Sequence, residues 1–151
     1  LNDYIRRNGV PEKPGLHEFL SWLKEHSIKV AVATSTTRRV AEDYWKQSGI
    51  DQYINASVCG DEVINSKPDP EIFLKAASLL KVPIAACMVA EDSINGLKAA
   101  RAAGAISCMI PDLTPYTKKL FPFCDYVSPS LLTCKEILLQ TPEADKLKSW
   151  K

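Results

Sequence analysis

Hydrophobic residues in this chain fall into two alternating patterns, short unbroken runs and longer stretches at helical spacing. The runs cover residues 28–33, 56–59, 85–90 and 106–110, with Asp125-Tyr126-Val127 as a short fifth. The first is broken only by Lys29 and predicts a strand buried on both faces, as in a parallel sheet. Leu16, Phe19, Leu20 and Leu23 predict a helix over residues 15–26, directly behind Pro14. Thr36 or Thr37 caps a second helix, which ends at Gly49. Asp69 as N-cap, with Pro70 at the first helical position, starts a third that runs to about Leu80. A fourth covers residues 94–103 and closes on Gly104. Thr114-Pro115 and Ser128-Pro129 repeat the start signal of a cap followed by proline. Strand and helix in alternation predict an α/β fold, a Rossmann-like parallel sheet with flanking helices.

Composition narrows the function. The 151 residues suit about one domain and are 46% hydrophobic and 25% charged, ordinary for a globular protein. A net charge of +1 gives no field for nucleic acid or an anionic membrane, so neither is expected as a partner. No apolar run is long enough to cross a bilayer and no signal-peptide pattern opens the chain, which points to the cytoplasm. Cys59, Cys87, Cys108, Cys124 and Cys134 are odd in number and lack CxxC spacing, so packed, reduced thiols are expected. His17 and His26 share one helical stretch without other ligand residues beside them and read as packing or surface groups.

Three loops carry candidate chemistry. The run at residues 85–90 stops at Glu91-Asp92, two acids at the carboxyl end of a strand, where open α/β sheets place their sites. Adjacent carboxylates repel, and a hard cation such as Mg²⁺ relieves that repulsion; helix capping explains an acid there equally well. Thr34-Ser35-Thr36-Thr37-Arg38 follows the first strand, and hydroxyls, free amides and a cation at a helix start suit an anion. A plain threonine cap is the alternative. Lys67, set before Pro68 in a polar loop, could hold a phosphate or neutralise carboxylates, or simply be solvated.

Order and context join these loops. Val30-Ala31-Val32-Ala33-Thr34-Ser35 resembles the second motif of the haloacid dehalogenase-like phosphotransferases. Ser66-Lys67-Pro68-Asp69-Pro70-Glu71-Ile72-Phe73 resembles the third, and Val89-Ala90-Glu91-Asp92-Ser93-Ile94-Asn95-Gly96 the fourth. Pro14-Gly15-Leu16 resembles that family's return from its cap domain to its core. The likeness runs over residues 13–139 and is greatest to the β-phosphoglucomutase and sugar-phosphatase branch. It implies that Thr34 and the Ser35 amide hold the transferring phosphoryl group, with Thr36 and Arg38 beside them as substrate-binding residues. It implies that Lys67 bridges phosphoryl group and nucleophile, and that Asp92 with Glu91 binds Mg²⁺ directly or through water. The substrate so implied is a small phosphorylated metabolite, and the intact enzyme a monomer.

The nucleophile is missing. In the family it is the first aspartate of an Asp-x-Asp motif, whose second aspartate is the general acid/base. Asp3, Asp61 and Asp69 stand in other contexts. Without that carboxylate no aspartyl-phosphate forms, and the chain alone is expected to be inactive. The family places the nucleophile's strand between the strands ending at Thr34 and Glu91. Its absence predicts a slot about twice the ~4.8 Å strand spacing, with unpaired edges on both sides. Residues 1–13 then read as a remnant of a helical cap, 14–140 as the core domain and 141–151 as a polar tail, a portion of a longer enzyme. A β-phosphoglucomutase-type isomerase, a non-catalytic phosphate-binding relative and an inactive fragment are the alternatives.

Overall fold

Residues 15–111 and 119–140 are described by a computed structural model of the protein. The apolar runs form five strands, β1 (Ala31–Ala33), β2 (Ala56–Val58), β3 (Met88–Glu91), β4 (Ile106–Met109) and β5 (Tyr126–Val127). The periodic stretches form five α-helices among the described residues, α1 (Leu16–Glu25), α2 (Arg38–Ser48), α3 (Glu71–Leu80), α4 (Ile94–Ala103) and α5 (Cys134–Gln140).

Local chemistry sets several boundaries. Gly49 and Gly104 end α2 and α4 at φ of 75° and 86°, left-handed conformations that glycine adopts without steric cost. Ser93 caps α4 by accepting from the Gly96 amide at 3.1 Å. Asp69 accepts from the Glu71 amide at 2.9 Å, so it caps α3 as expected, although the regular helix begins one residue after Pro70. Thr37 occupies the N-cap position of α2 but makes no side-chain cap bond. Ser128-Pro129 does not open a helix: the Ser128 hydroxyl bonds the Ser130 carbonyl at 2.7 Å, and α5 starts only at Cys134. A short 3₁₀ turn over Ile84–Ala86 delays β3 to Met88. Thr114-Pro115, residues 1–13 and residues 141–151 lie outside the described residues.

Helices cover both faces of the sheet. Phe19, Leu20 and Leu23 of α1, Ala41 and Trp45 of α2, and Leu138 of α5 form one core with Cys108 of β4. Ile72, Phe73 and Ala76 of α3 and Ala99, Ala100 and Ala103 of α4 form the other with Val58 of β2. Leu97, fully buried, packs α4 against Met109 and Leu120. Leu97→Ala should destabilise the fold by about 2–5 kcal/mol and Leu97→Met by less than about 1.5 kcal/mol, read as denaturation midpoints, because only the alanine leaves a cavity. All five cysteines are free thiols, and Cys59, Cys108 and Cys134 are buried. His26 stacks on Trp22 at 4.2 Å between ring centroids and His17 meets Tyr53 edge-on at 6.3 Å, both packing roles. No helix among the described residues is long and apolar enough to cross a membrane.

Every strand pairing is parallel, yet the strands form two sheets. One is β1-β2, with Val32 opposite Ser57; the other is β3-β4-β5, with Val89 opposite Ser107. Between β1 and β3 lies an apolar cavity of about 300 Å³, walled by both strands and by α1, α3 and α5. The expected slot is therefore present. It also corrects the reading of the first strand as buried on both faces. Ala31–Ala33 are only half-buried, and Ala90 in β3 is exposed, since neither strand has a neighbour on its slot side among the described residues.

Candidate functional site

The carboxyl ends of β1 and β3 meet at one mouth of the slot, and Lys67 joins them. Its Nζ donates to the Ala33 carbonyl at 3.2 Å and to Glu91 Oε2 at 2.9 Å. The side chains of Lys67 and Glu91 retain 11% and 13% of their exposure, so the pair is shielded from water more than a surface ion pair would be. Lys67 Nζ also lies 5.1 Å from the centre of the Phe73 ring, whose face favours a cation. A loop lysine gains its position from α3 behind it and from the two strand ends it bridges.

Glu91 is fixed at its other oxygen as well. Oε1 accepts from the Asp92 amide at 3.0 Å, the Ser93 amide at 3.4 Å and the Ser93 hydroxyl at 3.3 Å. Its carboxyl group occupies the space that a Cβ on Gly96 would fill. Gly96 thus lets the first turn of α4 close over Glu91. Asp92 follows directly, half-buried at the strand end. These two residues present hard oxygens side by side. No group of three or more His, Cys, Asp or Glu side chains that could hold a metal occurs among the described residues. The pair fits an ion that completes its shell with water and substrate oxygens, as Mg²⁺ does.

Thr34 stands at the end of β1. Its amide donates to the Val58 carbonyl at 3.0 Å, and its Oγ1 accepts from the Thr36 amide at 3.2 Å. That turn orients the hydroxyl; Ser35 and Thr36 are exposed beside it. Gly60 holds the loop from behind, with its amide donating to the Thr36 carbonyl at 2.8 Å. A Cβ at Gly60 would collide with the Ser35 backbone carbonyl, which no side-chain rotation relieves. Gly60→Ala should cost about 1–3 kcal/mol by denaturant titration and shift the Ser35 and Thr36 amide resonances. An unchanged spectrum would show that this loop does not depend on the close approach.

Arg38 is not brought to this cluster. Its Nε and Nη2 donate to Glu62 at 2.8 Å each, Nη1 reaches Glu42 at 3.2 Å, and Nη2 reaches the Ser57 carbonyl at 3.1 Å. Its own amide donates to Asp61 Oδ1 at 3.0 Å, which supplies the start of α2 with the cap Thr37 does not provide. The fork of bonds clamps α2 to the loop after β2. The Arg38 guanidinium, and then the Cys59 amide, hold the Glu62 carboxyl down at about 2. An unfolded chain protonates this glutamate near 4.5. The clamp's contribution to stability is therefore complete above pH 4.5 and is lost as the pH falls toward 2. Glu62→Gln should lower the denaturation midpoint at pH 7, and its midpoint should converge with the parent's near pH 2. A gap that persists at pH 2 would assign the loss to packing instead.

Thr34, Ser35, Thr36, Lys67, Glu91 and Asp92 thus gather at one end of β1 and β3, while Arg38 serves the scaffold. The residues not anticipated from the chain are Gly60, Gly96 and Phe73. Each acts through a neighbour brought close only by folding. Comparison with known proteins fits this geometry. The chain is 42% identical over 95 residues to a phosphorylated carbohydrates phosphatase of Thermotoga maritima, covering 63% of this chain and 44% of that protein. The crystal structure of a candidate beta-phosphoglucomutase from Thermotoga maritima superposes with a TM-score of 0.78 at 32% identity, over 86% of this chain and 61% of that one. CbbY from Rhodobacter sphaeroides, solved in complex with phosphate, superposes with a TM-score of 0.77 at 28% identity, over 86% of this chain and 59% of that one. The chain accordingly spans less than two thirds of each. The family model for haloacid dehalogenase-like hydrolases matches residues 3–104. On that match, and on the Thr34, Lys67 and Glu91-Asp92 motifs it contains, this chain belongs to the haloacid dehalogenase-like hydrolase family.

Proposed function

We propose that this chain supplies the phosphoryl-binding part of a Mg²⁺-dependent phosphotransferase acting on small phosphorylated metabolites, sugar phosphates foremost. The observation that carries this is the Lys67 bridge between the Ala33 carbonyl and Glu91 at the shared mouth of β1 and β3. A transferring phosphoryl group spreads negative charge over its equatorial oxygens, so the protein must offer fixed donors and cations there. In this reading Thr34 Oγ1 and the Ser35 amide donate to those oxygens, and Lys67 balances their charge. Asp92, with Glu91, would hold Mg²⁺, which when bound adds the remaining positive charge. The phosphoryl group passes from the substrate ester oxygen to an aspartate oxygen, and water then cleaves the acyl phosphate to release phosphate. That aspartate is not contributed by residues 1–151. The sugar-phosphate preference is supported by the Thermotoga maritima phosphatase of phosphorylated carbohydrates.

The test is phosphate release from a panel of sugar phosphates, with and without Mg²⁺. It is run in parallel on this chain and on a version extended at its amino end by an apolar strand bearing Asp-x-Asp. Mg²⁺-dependent release by the extended version alone is expected. No release by either, with phosphate still bound, would favour a phosphate-binding module. Interconversion of sugar phosphates without release would favour an isomerase.

A further inference from the structure

Lys67 carries a flexible side chain, and its Nζ keeps one place at the mouth only if its backbone is held. Among the described residues that backbone makes no hydrogen bond of its own; the bonds of Lys67 run from Nζ, to the Ala33 carbonyl and to Glu91. The hold comes from its neighbours. Both oxygens of Glu71, the first residue of α3, turn back onto the loop: Oε2 accepts from the Ile64 amide at 2.8 Å and Oε1 from the Asn65 amide at 3.0 Å. Oε1 also meets Asn65 Nδ2 at 3.4 Å. On the other side of Lys67, the Asp69 amide donates to the Ser66 carbonyl at 3.0 Å, and Asp69 Oδ1 accepts from the Glu71 amide at 2.9 Å. Residues 64–66 and 69–71 thus close a ring of bonds around Lys67-Pro68. The Ile64 amide, and then the Asn65 amide, hold the Glu71 carboxyl below the ordinary glutamate range. Its other neighbour, Lys75, stands at 3.4 Å from Oε2 and gives its closer bond, at 2.7 Å, to the Glu62 carbonyl.

We propose that Glu71 is the positioning residue for Lys67. By clamping the two amides ahead of Lys67 onto the start of α3, it sets where Nζ stands between Ala33 and Glu91. That this placement serves turnover rests on the phosphoryl-transfer reading; the clamp itself does not. The base of the clamp is firm, because Ile72 and Phe73, next along α3, are buried in the same core as Val58, with Ala31 and Ala33 packed against it. The clamp is therefore registered to the strand end that Lys67 must reach. Phe73, whose ring centre lies 5.1 Å from Nζ, receives the ammonium from the same end of α3. An acid at a helix start also interacts favourably with the helix dipole. A role confined to that would change the stability of α3 and leave Lys67 where it is.

The test follows acylation of individual lysines by acetic anhydride in the 151-residue chain, read by mass spectrometry. Glu71→Gln keeps the side chain's length but turns an amide donor toward one of the two loop amides. It should raise the Lys67 rate about fivefold or more, with the exposed Lys46 and Lys81 unchanged. Glu71→Asp keeps the charge at the helix start and shortens the reach, so it should also raise the Lys67 rate while sparing the denaturation midpoint. Lys75→Gln spares the loop bonds and should leave the Lys67 rate at the parent's. In an active form of the protein, Glu71→Gln should lower kcat by about 10–10²-fold and change KM by less than about twofold. Added to Lys67→Ala it should cost nothing further in kcat, since it acts through Lys67. A Lys67 rate that stays at the parent's in both Glu71 variants would overturn the proposal and leave Glu71 a dipole role. A full further loss of kcat in the double variant would overturn it as well. A raised Lys67 rate with unaltered kcat would uphold the clamp while telling against the phosphoryl-transfer reading.

Discussion

Lys67→Ala should lower kcat for a sugar phosphate by about 10²–10³-fold in any active form of the protein. Lys67 touches the ends of both β1 and β3, at 3.2 Å from the Ala33 carbonyl and 2.9 Å from Glu91. Removing it leaves phosphoryl charge without a fixed cation in a partly shielded site. It also leaves Glu91 without its ion-pair partner. Loss of one partner of a fully buried pair costs about 3–5 kcal/mol. The cost here should be smaller, because the Asp92 and Ser93 amides and the Ser93 hydroxyl still bond Glu91. Two readouts separate catalysis from folding. Lys67→Ala combined with Glu91→Gln should recover most of the lost denaturation midpoint and none of the lost kcat. A double variant that regains activity would make Lys67 a scaffold residue.

Asp92→Asn should abolish Mg²⁺-dependent turnover, with a loss of at least about 10²-fold. The substitution keeps shape and removes charge, so it tests the carboxylate as a cation ligand without opening a cavity. Glu91 cannot take over as the direct ligand, since both of its oxygens already hold Lys67, two amides and a hydroxyl, and it would reach the ion through water. The variant should keep a cooperative denaturation transition, so that lost turnover is read at the carboxylate and not as lost folding. It should also raise the Mg²⁺ concentration needed for half-maximal activity of any residual turnover. Near-normal turnover at the parent's Mg²⁺ requirement would mean that the cation sits elsewhere.

Particular residues show which parts of this site the chain itself made legible. Thr34, Lys67 and Glu91-Asp92 each stand where an apolar run or a helix start meets a polar loop, and that boundary is local. Some starts and ends of helices were legible for the same reason, at Asp69, Gly49 and Gly104, because capping involves only residues within one turn. Arg38 was read as a substrate group on the same local logic, whereas its guanidinium bonds Glu62, Glu42 and the Ser57 carbonyl. Its partner Glu62 lies 24 positions along the chain, and a helix start with a cation looks the same whether that cation faces an anion or a neighbouring loop. Gly60 carried no signal at all, since its need for a missing Cβ comes from Ser35.

The sequence by itself determined the alternation of strands and helices, the parallel sheet and the three polar loops at strand ends, because hydrophobic period and capping act over a few residues. Only tertiary structure decided which of those loops share a mouth, which cation reaches it and which is bound into the loop after β2. The half-burial of Ala31–Ala33 and the exposure of Ala90 belong to that second class. An apolar residue in a strand carries the same local propensity whether or not another strand lies beside it, and its burial is set by the neighbour that folding supplies.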